Sequence, residues 1–85
     1  MAEMILVNVY VPAVEHTYDF RLNESFAPGV IVNELCEMVE QKEQLSPGNG
    51  RERLMLFDAS LQRMLPFDRS LRESGVVDGH LLILV

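Results

Sequence analysis

One cysteine, one lysine, two histidines and no tryptophan occur among the 85 residues. The single thiol, Cys36, excludes an intrachain disulfide and fits a reducing compartment. His16 and His80 have neither a second histidine nor a cysteine at metal-ligand spacing, so each is expected to be a solvated turn residue and no metal is expected. No Gly-x-Ser-x-Gly elbow and no phosphate loop is present, so neither hydrolase chemistry nor nucleotide binding has a motif to stand on. No apolar run approaches the length of a membrane span, so no direct membrane insertion is expected. The N-terminus lacks a basic segment followed by a long apolar one, so it is not read as a signal peptide.

Basic residues are also scarce. Residues 1–44 hold eight acids against Arg21 and Lys42, whereas residues 45–85 balance five acids with five arginines, so the net charge of −6 belongs to the first half. Such a chain is repelled by phosphate backbones, and nucleic acid is not an expected partner. At this length one domain, residues 1–85, is expected. A hydrophobic content of 48% supports a packed core, and a chain this short leaves little room for a deep catalytic pocket.

Periodicity organises what is present. Ile5, Val7, Val9 and Val11 alternate with Leu6, Asn8 and Tyr10, which predicts a strand over Met4–Val11 with the β-branched set inward, ended by Pro12. Thr17–Leu22 is the returning strand, with Tyr18, Phe20 and Leu22 inward. Asn23–Gly29 reads as a connection. Ile31, Leu35, Met38, Val39 and Lys42 then fall on one helical stripe, flanked by Val32 and Cys36. The other face carries Glu34, Glu37 and Glu40 among its polar residues. The helix is expected to end near Gln44 or Leu45, before the breaker run Ser46–Gly50. Arg53–Asp58 reads as a third strand with Leu54 and Leu56 inward and Met55 and Phe57 outward, and Arg63–Leu65 as a short fourth. Ser70 and Glu73 have capping-box spacing, Asp78-Gly79 signals a turn, and His80–Val85 is the last strand. Cys36 is expected to act as a small hydrophobe and Ser70 as a cap.

The order ββαββ, short turn, β over this length resembles the ubiquitin-like β-grasp, an α+β fold in which one helix packs across a mixed sheet. Within that superfold the chain is similar to the YukD/EsaB family, ubiquitin-like proteins associated with type VII (WXG100) secretion in Gram-positive bacteria. Three stretches carry the likeness: Tyr18-Asp19-Phe20-Arg21-Leu22, Ala27-Pro28-Gly29-Val30-Ile31-Val32, and the closing run from Leu71 through Ser74-Gly75-Val76 and Gly79 to Leu82 and Leu84. The resemblance implies a cytoplasmic accessory or regulatory component of the secretion machinery, with partners at the inner membrane. Ubiquitin and its sulfur-carrier relatives react through a terminal Gly-Gly; here the sequence closes on Leu82-Ile83-Leu84-Val85, so a modifier or sulfur carrier is the disfavoured alternative. A ubiquitin-like docking domain of a larger membrane protein is a third reading.

In a β-grasp sheet the last strand lies between the first and the third. Strand parity then sends Met4, Leu6, Met55, Phe57, Leu81, Ile83 and Val85 to the side away from the helix, in one contiguous patch rimmed by Arg53 and Arg63. A large exposed apolar patch marks an interface, so these seven residues are the expected protein-binding site, for a machinery subunit or a second copy of the chain. No catalytic residue and no cofactor is expected. The acidic helix face is the competing surface; solvated polar residues are the simpler account of it.

Overall fold

In the computed structural model residues 3–44 and 54–85 are described. The breaker run Ser46–Gly50, Leu45 as a helix end and Arg53 as a strand start or rim residue lie outside them.

Strands β1 (Met4–Val11) and β2 (His16–Asn23) pair antiparallel over their full length, from Met4↔Asn23 to Val11↔His16. Alternation does what it predicts: Ile5, Val7, Val9 and Val11 are buried, and Phe20 and Leu22 join them from β2. Tyr18 is half-buried against their edge. The second strand gains His16 and Asn23 over the expected Thr17–Leu22, because Val11 and Met4 each offer a partner in the ladder.

Helix α1 spans Pro28–Lys42, so Pro28 and Gly29 belong to its first turn rather than to the connection. Proline suits that place: its missing N–H has no helical partner there, and its fixed φ is already helical. The buried stripe consists of Pro28, Ile31, Val32, Leu35, Cys36 and Val39. Met38, expected on the stripe, is exposed instead. Burial of Val32 and Cys36 rotates the stripe toward them, which leaves Met38 roughly a quarter turn from its centre at 3.6 residues per turn. Lys42 also stays outside; its Nζ sits 5.9 Å from the centre of the Tyr18 ring.

The second half is built from shorter pieces: β3 (Leu56–Asp58), β4 (Arg63–Met64), α2 (Leu71–Ser74) and β5 (Leu81–Leu84). The sheet order is β2-β1-β5-β3-β4, with β5 parallel to β1 and antiparallel to β3. Strand β3 is shorter than expected at its start, yet Met55 and Val85 still exchange both backbone hydrogen bonds (2.7 and 3.0 Å). His80 precedes β5, where its carbonyl accepts the Asn8 amide at 3.1 Å.

Among the described residues two glycines have positive φ where a turn demands it. Gly75 (+88°) ends α2, and Gly79 (+86°) turns the chain into β5 while its amide donates to the Leu6 carbonyl at 2.8 Å. The core lies between the sheet and α1, closed at one end by Leu71 and Val76, with Leu54 half-buried at its margin.

Candidate protein-binding face

The register places each outward side chain. One row crosses the sheet as Thr17, Tyr10, Ile83, Phe57 and Met64. Met55 and Val85 form the neighbouring row toward the end of β5. On the other side comes a row of Asp19, Asn8 and Leu81. Leu6, paired with Arg21, and Met4, paired with Asn23, follow at the start of β1.

The seven predicted residues are thus all on the side away from α1, but not as one uniform block. Five of them, Met55, Phe57, Leu81, Ile83 and Val85, lie together on β3 and β5 with the residues that flank them. Met4 and Leu6 lie beyond Asn8, whose side-chain amide donates to the Asp19 carboxylate and sets a polar pair into the face. Phe57 and Ile83 are half-buried, while Met4 and Leu6 keep 55% and 51% of their surface exposed. Sequence reasoning left two contributors out of the site. Tyr10 was already assigned outward by parity and sits beside Ile83; Met64, opposite Phe57, falls on a strand too short to show alternation.

Arg63 is not a rim residue of this face. It pairs with Asp58, on the inward side, and its guanidinium donates to the Ser74 carbonyl at the end of α2. The same parity buries Asp58 completely, which the sequence reading did not register. Its Oδ1 accepts the Leu61 amide at 2.9 Å, and its Oδ2 lies 2.8 Å from His80 Nδ1. His80 is therefore not a solvated turn histidine: its side chain is 18% exposed, and its ring is a polar partner of the buried Asp58 carboxyl. The signal was legible in principle, since Asp58 shares the parity of Leu56.

These bonds hold the face from beneath and from its ends. Asp58 and His80 each precede or follow an outward residue, Phe57 and Leu81. The Leu81 amide donates to Ser60 Oγ at 3.1 Å, and the Leu6 amide to Asp78 Oδ1 at 2.8 Å. At the far end of the hairpin, His16 is exposed as expected, but its Nδ1 lies 3.0 Å from Glu43 Oε2, which also accepts the Tyr18 hydroxyl. The bond to Glu43, with burial and the carboxylate's charge, pushes Tyr18 up to about 12. Glu43 is held below the usual carboxylate range, chiefly by the Tyr18 hydroxyl and then by His16.

Cys36 is buried in the core and Ser70 caps α2. Among the described residues no group of three or more His, Cys, Asp or Glu side chains is placed to hold a metal ion, and no helix is long and apolar enough to cross a membrane.

No family profile and no curated protein matches the chain in sequence. Solved structures match its fold. The ubiquitin-like domain of EccD5 from Mycobacterium xenopi superposes with a TM-score of 0.70 at 20% identity, over 98% of this chain and 96% of that one. A chain of the MycP5-free ESX-5 inner membrane complex gives 0.74 at 22% identity, over 96% of this chain but only 20% of that one. A chain of a toluene 4-monooxygenase complex gives 0.78 at 11% identity, over 98% of each. At such identities the likeness is one of fold: the chain is a ubiquitin-like β-grasp, with one main helix across a mixed five-stranded sheet.

Proposed function

We propose that residues 1–85 form a single ubiquitin-like domain that acts as a non-catalytic protein-binding module, an accessory or regulatory component of a bacterial type VII secretion system working on the cytoplasmic side. The observation that carries this reading is the outward apolar group on β3 and β5, extended by Tyr10 and Met64 across the central row of the sheet. Water gains nothing from that surface, and covering it favours association by roughly 25 cal/mol per Å² before entropic costs.

The link to secretion is supported by the YukD/EsaB-like stretches and by the fold shared with the EccD5 domain and with part of an ESX-5 inner membrane complex. That match covers a fifth of the complex's chain, which favours a second reading: a docking domain that belongs to a larger membrane protein. Both readings use the same face, and both take a machinery subunit or a second copy as the occupant.

The test is Ile83→Asp, measured by light scattering and by pull-down with secretion-machinery subunits. The aspartate stands on the solvent side of β5, so the fold is expected to persist while association is lost. A folded variant with unchanged mass and unchanged pull-down would turn attention to the acidic face of α1.

A further inference from the structure

We propose that the recess between β4 and α2 is a carboxylate site that receives an acidic side chain of the partner protein. The recess encloses about 280 Å³ and is lined by Arg63, Met64, Pro66, Arg69, Glu73 and Ser74. That volume lies at the small end of ligand pockets, so it fits a side chain better than a metabolite.

The lining carries two arginines against one carboxylate. Ser74 is 5% exposed, and its hydroxyl is the buried side-chain polar atom with no hydrogen-bond partner among the described residues. One Arg63 N–H group already donates to the Ser74 carbonyl, which anchors the guanidinium at the end of α2 and leaves further donors. Arg69 adds a second guanidinium to the same lining. Two guanidinium forks are a donor set that a carboxylate accepts from.

Charge decides between carboxylate and phosphate. Glu73 also lines the recess, and its carboxyl is held below the usual range by the Ser70 amide and hydroxyl, so it stays ionised. Two arginines and one glutamate leave a single net positive charge. That matches a monoanion and opposes a phosphate dianion, which would stand beside Glu73.

Position supplies the source. Met64 lines the recess and pairs with Phe57 on the outer face, so a protein covering that face reaches the recess by crossing β4. This last step rests on the protein-binding reading of the face; the recess itself does not.

The experiment separates the two. Amide and arginine side-chain NMR shifts of the whole chain are followed during titration with blocked glutamate (N-acetyl, N-methylamide), blocked glutamine and inorganic phosphate. Blocked glutamate is expected to give saturable shifts at Ser74, Gly75 and the Arg63 side chain, glutamine none, and phosphate weaker ones. Arg69→Gln is expected to weaken glutamate binding roughly tenfold or more, as loss of a charged hydrogen-bond partner does. Arg63→Gln is expected to do the same, and Arg69→Gln serves as the test if Arg63→Gln disturbs the fold. Ile83→Asp is expected to leave glutamate binding unchanged, because it touches only the outer face. No saturable shift at Ser74, tighter phosphate than glutamate, or unchanged affinity in a natively folded Arg69→Gln protein would each overturn the carboxylate site. Full partner affinity in Arg69→Gln alongside lost glutamate binding would overturn its use by the partner.

Discussion

The strands of the hairpin are eight residues each and α1 is fifteen, whereas β3, β4 and β5 are three, two and four residues long. The first region is held by periodic apolar burial: every buried residue of β1, β2 and α1 is apolar. The second adds side-chain bonds to the backbone. Asp58 accepts from Leu61, Arg63 donates to Ser74, Ser70 and Glu73 cap α2 reciprocally, and Asp78 and Ser60 accept from Leu6 and Leu81. Strands of two to four residues offer few ladder bonds, so their connections are fixed by polar tethers instead. The outer face of the sheet straddles both regions, with its apolar centre on the tethered one.

The comparison predicts graded damage. Leu35 is fully buried beneath α1, and Leu35→Ala is expected to cost about 2–5 kcal/mol through the cavity it leaves, read as a lower urea midpoint. A loss near zero would mean that the helix does not close the core. Asp58→Ala should cost less, on the order of 1–3 kcal/mol, by leaving the Leu61 amide and the His80 ring without their partner. Amide exchange should then accelerate around Leu61 and Leu81 before it does in the hairpin; uniform acceleration would erase the distinction between the regions. Ser70→Ala, which removes the cap of α2, is expected to cost about 1 kcal/mol, with the loss confined to α2 and its neighbours.

That division also governs what was legible in the sequence. Val7, Val9, Phe20 and Leu35 announced themselves because alternation and helical period persist over many residues. Sheet order and the outward parity of Met55, Phe57, Leu81 and Ile83 followed once the β-grasp resemblance placed β5 between β1 and β3. Asp58 and His80 did not announce themselves, since an aspartate closing a strand reads as a turn residue unless its partner is known. Arg63 looked like a rim charge because only the structure brings the Ser74 carbonyl to it. Met38 was misplaced by one flank of a broad stripe, which sequence spacing alone could not centre.

The smallest expected effect is on pH dependence, and it belongs to the first region. Tyr18 has its ordinary value of 10.0 raised to about 12, so the unfolded chain loses this proton first as the solution becomes alkaline. The stabilising bond to Glu43 is fully present below about pH 10 and is lost as pH rises from there toward about 12. Glu43 is shifted the other way, so its contribution is present above the usual carboxylate range and is lost as pH falls through its lowered value. Tyr18→Phe is expected to flatten the alkaline limb of a stability-versus-pH curve and to weaken the acid one. An unchanged profile would mean that the clasp between β2 and Glu43 contributes nothing in solution.

The central claim is that the outer face of the sheet, not the acidic face of α1, meets the partner. A photoreactive phenylalanine analogue placed at position 57 and, in a separate sample, at position 34 tests it directly. With purified secretion-machinery subunits or a tagged second copy present, position 57 is expected to give one discrete crosslinked product, and position 34 none. Crosslinking from position 34 with none from position 57 would contradict the account and assign the interface to the helix.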